Sequence, residues 1–132
     1  MKDILMLKKL LIGLVGFALV TILFTACTIR DASTIQAGPQ VKMGASNFIT
    51  ETITIKKGQS LTLVDTATSP HVITNGSWVG TAAKPSAESG APHVQMSFSG
   101  GDSQKTAPFT TAGTYHYYCT IHQGMNLTVT VQ

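Results

Sequence analysis

The sequence has few cysteines, few charged residues and no long helical pattern. Only two of its 132 residues are cysteines, and charged residues make up 11% of the chain. Cys27 ends the N-terminal apolar run, whereas Cys119 lies near the C-terminus. We therefore interpret them as two thiols with separate roles and not as one disulfide. The scattered lysines form no basic stripe, which argues against nucleic-acid binding. No segment beyond the N-terminal region shows sustained helical periodicity, which argues against an α-helical domain.

The N-terminal region predicts export from the cytoplasm. Three lysines in residues 1–9 precede a seventeen-residue apolar run, residues 10–26, and this order is typical of a secretory signal. The run ends at Phe24-Thr-Ala-Cys27, which resembles a bacterial lipobox, so Cys27 is predicted to be the lipidated first residue of the mature chain. An uncleaved membrane anchor and ordinary secretion are the alternatives. All three place the domain outside the cytoplasm, and a lipid or an uncleaved helix would tether it to the membrane.

The chain divides into three predicted segments. Residues 1–27 are the signal or anchor segment, residues 28–43 a polar flexible tether, and residues 44–132 the folded domain. Three of the nine Lys and Arg residues and one of the six Asp and Glu residues fall in the first segment. The rest of the chain is therefore nearly neutral. The remaining length is enough to bury one core without disulfides, and we expect a monomer.

The folded domain is predicted to be all-β. Isoleucines alternate with threonines in residues 49–55, except that Glu51 occupies one isoleucine position, and apolar residues alternate with polar ones in residues 94–98. This period of two is typical of strands with one buried face. Asn75-Gly76 predicts a turn, and residues 78–92, rich in Ala, Ser, Gly and Pro, are predicted to be irregular. Short strands separated by turns and segments rich in Gly and Pro indicate a β-sandwich or barrel.

An aromatic strand leads into a loop that carries three soft or borderline metal ligands. Cys119, His122 and Met125 follow one another at intervals of three residues. A thiolate with two imidazoles in a trigonal set and a weak axial thioether is typical of an electron-transfer copper site. The loop supplies only one imidazole, so a second must come from elsewhere, and His71, directly after Pro70, is the predicted partner.

Two other histidines are alternatives to His71. Neighbouring side chains on a strand alternate between its faces, so His116 lies opposite to Cys119 and is predicted to miss the metal. His93 opens a strand after a long irregular stretch, which makes it the weaker choice. Tyr118 is predicted to be half-exposed on the outer face and, as the covalent neighbour of Cys119, to offer an electron path.

The C-terminal segment resembles the ligand segment of the cupredoxins, the small blue copper proteins such as plastocyanin and amicyanin. The similarity runs from Ala112-Gly-Thr-Tyr-His-Tyr-Tyr-Cys119 through the loop ligands, and extends upstream to Pro70-His71. The short Cys-x-x-His-x-x-Met loop is most similar to that of amicyanin. The resemblance implies a Greek-key β-sandwich over about residues 41–132. It also implies one copper ion held by four ligands: His71, Cys119, His122 and Met125.

The resemblance implies a non-enzymatic carrier of single electrons between membrane-associated or extracytoplasmic redox partners. An apolar patch around His122 is the predicted docking surface for these partners, formed by Pro70, Ile121, Gly124 and Met125. A copper-binding module for storage, delivery or sensing is the alternative, because it would use the same ligands. Four histidines and one loop cysteine are too few for a multicopper oxidase or a binuclear copper domain. A metal-free adhesive sandwich would leave the ligand spacing unexplained.

The segment departs from the common family pattern at two positions. Ile121 stands where many members have proline before the loop histidine. Val72 stands where an asparagine side chain commonly ties the two ligand loops together. Both changes leave the predicted ligands in place, and both bear on the rigidity and the reduction potential of the site.

Overall fold

The structure is a computed structural model that describes residues 38–132. This part of the chain forms nine strands and no helix, so the predicted all-β class is confirmed. Accordingly, no helix in residues 38–132 is long and apolar enough to cross a membrane. The predicted signal segment, with Cys27, lies outside the described residues. In chain order the strands are β1 (Gln40–Met43), β2 (Thr52–Ile55), β3 (Thr62–Asp65), β4 (His71–Val79), β5 (Ala82–Pro85), β6 (Gln95–Phe98), β7 (Ser103–Lys105), β8 (Gly113–Cys119) and β9 (Asn126–Val131).

The strands form two sheets. The smaller sheet has the order β1-β3-β7, and β1 and β3 are parallel. The larger sheet runs β2-β9-β8-β4, and β2 and β9 are parallel. Strand β4 changes partners along its nine residues: β6 pairs with residues 71–74, β8 with residues 73–75 and β5 with residues 76–79. The long strand β4 therefore connects His71, a predicted ligand at its first position, to the rest of the larger sheet.

Buried side chains from both sheets join in one hydrophobic cluster. Val41 and Leu63 come from the smaller sheet, and Ile73 and Val129 from the larger one; each is at most 2% exposed. The alternating pattern of the strands explains this, because every second side chain turns to the same face. Burial of each such side chain contributes about 1.5–3 kcal/mol, so the cluster is the main support of the strand ends that carry the site.

Strand β1 overlaps the predicted tether, residues 28–43. Val41 and Met43 are fully buried, and the strand pairs with β3 along its whole length. The folded domain therefore begins before residue 44, and the predicted boundary is wrong by at least four residues. A strand of four residues is too short for its period to distinguish it from a polar spacer. Residues 28–37 of the predicted tether lie outside the described residues.

The Asn75-Gly76 pair lies inside β4 and is not the predicted turn. The buried Asn75 side chain donates a hydrogen bond to the Pro92 carbonyl oxygen (3.0 Å) and accepts one from the Val94 backbone N–H (2.8 Å). Gly76 has a φ of 122°, and a Cβ at this position would overlap the backbone of β5 and of the residue after it. Strand β5 itself occupies part of residues 78–92, which are therefore less irregular than predicted.

Candidate copper site

The start of β4 and the end of β8 meet at the candidate site. Ile73 is paired with Cys119 in the antiparallel ladder between these strands. His71 lies two residues before Ile73 and therefore shares its strand face. All three side chains are fully buried. The strand pairing thus places His71 beside the thiol of Cys119, although 48 residues separate them in the chain.

A hydrogen-bonded loop carries the other two predicted ligands. The backbone N–H of Met125 donates to the His122 carbonyl oxygen (3.2 Å), and the N–H of Cys119 donates to the Met125 carbonyl oxygen (3.0 Å). Gly124 has a φ of 78°, a left-handed conformation that glycine adopts without strain. The loop therefore turns back on itself and returns Met125 to the backbone of Cys119 before β9 begins.

Three donor atoms converge at the end of the sandwich. One ligand atom each from His71, Cys119 and His122 lies within 4.8 Å of the others. The Cys119 Sγ is 3.5 Å from Nδ1 of His122 and 3.8 Å from Nδ1 of His71. A metal at about 2.0 Å from an imidazole and about 2.3 Å from a thiolate separates the two atoms by about 3.7 Å in a trigonal site. The observed separations fit this arrangement, so these residues can hold a metal ion as they stand.

The chemistry of the donor set favours copper. Met125 is only 2% exposed, and its backbone is hydrogen-bonded to both His122 and Cys119. A thiolate, a thioether and two imidazoles are together the donors of electron-transfer copper sites. His122 is the one partly exposed residue among the three converging donors. The site is therefore closed to water on most sides and reaches the surface at one imidazole.

Burial favours the neutral form of the His71 imidazole. The pKa of His71 is lowered from its usual value mainly because burial disfavours the imidazolium ion. The Asp65 carboxylate acts in the opposite direction and raises this pKa, whereas the neighbouring His122 lowers it. An imidazole has to be deprotonated at the nitrogen that binds a metal. The lowered pKa therefore favours the form of His71 that can act as a ligand.

Backbone and indole groups tie the two ligand loops together at the position where Val72 replaces the common asparagine. The Thr120 N–H donates to the Val72 carbonyl oxygen (2.8 Å), and the Trp78 Nε1–H donates to the Cys119 carbonyl oxygen (2.8 Å). The Asn126 side chain in turn bonds both the N–H (2.7 Å) and the carbonyl oxygen (3.0 Å) of Trp78. No local sequence pattern indicates this contact of Trp78 with the ligand loop.

Two expectations about the surface of the site are wrong. Tyr118 lies outside the hydrophobic cluster, as strand alternation predicts, but it is only 2% exposed. Trp78 packs edge-on against it, with ring centroids 6.0 Å apart, so Tyr118 is not half-exposed. Met125 is buried and does not belong to the predicted apolar patch around His122, whereas Ile121 is 50% exposed and does.

The two alternative histidines lie outside the donor cluster in the described part of the chain. His116 turns away from Cys119, as predicted, and its Nδ1 lies 2.6 Å from Oε1 of Glu88. His93 is exposed at the start of the segment before β6. Strand alternation was therefore sufficient to exclude His116, whereas the choice of His71 over His93 depended on the resemblance of the Pro70-His71 segment to the family's ligand motif.

Comparison with known proteins identifies the family of this chain. A family model described as copper binding proteins of the plastocyanin/azurin family matches residues 36–132. The chain belongs to the plastocyanin/azurin family of copper-binding proteins, the cupredoxins. Plastocyanin from Scenedesmus fuscus is 37% identical over 99 residues, which cover 70% of this chain and 97% of that plastocyanin.

Solved amicyanin structures share the cupredoxin fold. Amicyanin from Paracoccus versutus superposes with a TM-score of 0.56 at 21% identity, over 74% of this chain and 83% of that one. An amicyanin mutant in its reduced Cu(I) form at pH 4 superposes with a TM-score of 0.56 at 20% identity, over 76% and 88% of the two chains. The predicted cupredoxin fold is thereby confirmed. The family and the converging donors together show that the cofactor of this cupredoxin is one copper ion.

Proposed function

We propose that this cupredoxin carries single electrons between redox proteins through one type 1 copper site. Nδ1 of His71, Nδ1 of His122 and Sγ of Cys119 would hold the copper ion, with the Met125 thioether as the fourth ligand. The observation that carries the proposal is the convergence of one thiol and two imidazoles at N–S separations of 3.5 and 3.8 Å. Bound copper supplies a one-electron exchange between Cu(I) and Cu(II).

The protein supports this exchange by holding its ligands in place in advance. Cys119, His122 and Met125 belong to one hydrogen-bonded loop, and the strand ladder positions His71. A preformed donor set has little to rearrange when the charge changes. His122 is the one partly exposed donor of the three and adjoins the exposed Ile121. We therefore place the contact with redox partners at this edge, where the distance to the site is shortest.

The test is the visible absorption of the full chain in detergent after addition of one equivalent of Cu(II). We expect an intense thiolate-to-copper band with stoichiometric copper, and its loss in Cys119→Ala. His93→Ala is the matched control, because it removes an exposed imidazole outside the donor cluster and should leave the band intact. Voltammetry of the same sample should show one reversible one-electron wave.

A different spectrum would favour the alternative function. If the chain takes up one copper but shows only a weak band, the thiolate does not bind in the trigonal geometry. Rapid loss of copper to a competing chelator would then indicate storage or delivery, since such a module has to release its metal. A band that survives Cys119→Ala would contradict the proposed ligand set directly.

We infer further that the protein is extracytoplasmic and tethered to the membrane. The support is the order of lysines, the apolar residues 10–26 and the lipobox-like Phe24-Thr-Ala-Cys27. Mass spectrometry of the purified native protein is expected to find a chain that begins at a diacylated Cys27, and Cys27→Ser should abolish the modification. A mature chain that begins at Met1 would support an uncleaved helical anchor. A soluble chain cleaved elsewhere would contradict the tether.

A further inference from the structure

A second buried polar group lies against His71 on the side away from the thiol. The Asp65 side chain at the end of β3 is fully buried, as is that of His71, and its Oδ1 lies 3.8 Å from Nε2 of His71. Among residues 38–132, Asp65 Oδ2 and His71 Nε2 are the buried side-chain nitrogen and oxygen atoms without a hydrogen-bond partner. A buried polar atom left without a partner costs about 1–3 kcal/mol. One shared role accounts for both unpartnered atoms, because the Asp65 carboxylate and the His71 imidazole are neighbours.

The Asp65 carboxylate is held in place independently of His71. Its Oδ1 accepts a hydrogen bond from the Ala67 N–H (3.0 Å), and the Asp65 N–H donates to the Asp102 carbonyl oxygen (2.8 Å). Nδ1 of His71 faces the thiol, whereas Nε2 faces this carboxylate. The ring therefore stands between the donor cluster and a fixed negative charge.

We propose that Asp65 is a positioning residue of the copper site, whose carboxylate accepts the Nε2–H of His71 and thereby leaves Nδ1 free to bind the metal. This inference rests on the proposed function. A neutral imidazole has one donor and one acceptor nitrogen, so protonation of Nε2 exposes the lone pair of Nδ1 to the metal. Carboxylate partners of this kind orient ligand histidines and raise their basicity. The 3.8 Å separation has to shorten by about 0.8 Å to reach a usual hydrogen bond, so the proposal requires a small shift of the His71 ring toward the carboxylate.

The charge of Asp65 has a consequence for the redox equilibrium. With one thiolate bound, the Cu(II) site carries one more positive charge than the Cu(I) site. A buried carboxylate on the far side of His71 attracts the more positive state more strongly, and low polarity of the surroundings increases this effect. Asp65 therefore stabilises Cu(II) and lowers the reduction potential. The Gly44 carbonyl oxygen also faces the ring, but it carries no net charge.

The substitution Asp65→Asn removes the negative charge of the side chain but keeps its size and its hydrogen bond to the backbone. The asparagine oxygen still accepts the Ala67 N–H and the volume is nearly unchanged, whereas the negative charge is lost. We expect Cu(II) affinity to fall by about 10- to 100-fold, the usual range for such partners, with a smaller loss for Cu(I). Each tenfold difference between the two losses raises the reduction potential by about 59 mV. Asp102→Asn is the matched control, because it removes an exposed carboxylate that accepts the Ser99 N–H (2.9 Å), and it should change neither affinity nor potential.

Proton NMR of the Cu(I) protein provides a second readout, which does not depend on copper affinity or on the reduction potential. In the wild type we expect a slowly exchanging Nε2–H signal from His71, shifted downfield by the carboxylate, and an upfield shift in Asp65→Asn. A merely structural role for Asp65 would lower the thermal stability of the apoprotein without moving this signal or the potential. That result would overturn the proposal.

The outcomes separate this inference from the proposed function. Absence of the thiolate-to-copper band in the wild type means that the proposed function fails. An intact band, with the same potential and the same His71 signal in Asp65→Asn as in Asp102→Asn, overturns the role of Asp65 alone. The Gly44 carbonyl oxygen would then be the acceptor that orients the ring.

Discussion

Replacing Trp78 with phenylalanine is expected to loosen the ligand loop without touching a copper ligand. The Trp78 Nε1–H donates to the Cys119 carbonyl oxygen at 2.8 Å, and phenylalanine has no such donor. The smaller ring can keep the edge-on contact with Tyr118. Asn126 holds the backbone of residue 78 through two hydrogen bonds, so the side chain should stay in place. The substitution therefore isolates one hydrogen bond to the site.

The expected loss in the free energy of unfolding of the apoprotein is about 1–3 kcal/mol. A buried acceptor that loses its donor costs about 1–3 kcal/mol. Trp78 is half-buried, so water can replace part of this hydrogen bond and the cost falls in the lower half of that range. The smaller ring also loses some apolar contact, which at about 25 cal/mol per Å² adds less than about 1 kcal/mol. For a domain of this size, each kcal/mol lowers Tm by about 4–8 °C.

Urea denaturation of the apoprotein measures this loss, and chelator competition measures the rate of copper release. Trp78→Phe should be less stable and should release copper faster, because the Cys119 backbone is less firmly held. Val79→Ala is the matched control: Val79 is 62% exposed, so its truncation should change stability by less than about 0.5 kcal/mol. If the two variants are equally stable and release copper at the same rate, the indole bond to Cys119 contributes nothing and the reasoning is refuted.

Three further predictions test the ligand, the turn before β8 and the surface. Met125→Leu keeps a buried side chain of similar volume, so apoprotein stability should fall by less than about 1.5 kcal/mol. Loss of the thioether should raise the reduction potential in a redox titration, and an unchanged potential would remove Met125 from the axial position. Tyr115→Phe removes the hydroxyl that donates to the Thr111 carbonyl oxygen (2.9 Å); we expect a loss of about 0.5–1.5 kcal/mol in urea denaturation, and a neutral result would contradict the role of this bond. Burial is the largest single influence and raises the pKa of Glu88, but the hydrogen bonds from His116 and from the backbone, together with the charge of His116, outweigh it and hold the pKa below its usual value. A lowered folded-state pKa stabilises the fold above the unfolded value, and this stabilisation is lost as pH falls through the folded value. Glu88→Gln should therefore lower Tm more at about pH 7 than at about pH 3. The same difference at both pH values would show that the charge is irrelevant.

The loop ligands could be predicted because they are close together in the chain. Cys119, His122 and Met125 fall within seven residues, so their donor chemistry and their spacing are both local properties. Strand alternation, also a local property, placed His116 on the opposite face from Cys119. His71 is distant in the chain, and its selection depended on the resemblance of its segment to a known ligand motif.

The Asn75-Gly76 pair shows where local rules fail. The same dipeptide that closes tight hairpins lies here in the middle of β4, since the Asn75 side chain bonds to residues 17 and 19 positions away. Gly76 allows β5 to pack closely, because a Cβ at this position would overlap the β5 backbone. Strand β1 was missed for a related reason, because its four residues become a strand only through pairing with β3.

The sequence by itself predicted the all-β class, the three loop donors and copper as the metal, because strand periodicity and loop spacing depend on neighbouring residues, and its resemblance to the cupredoxins selected His71. Only the tertiary structure decided which groups surround those donors. Trp78 reaches the Cys119 carbonyl oxygen across 41 positions of the chain, and the Asp65 carboxylate faces His71 because the loop between them folds back. Such contacts arise from packing between strands, which leaves no period or spacing in the chain from which they could be predicted.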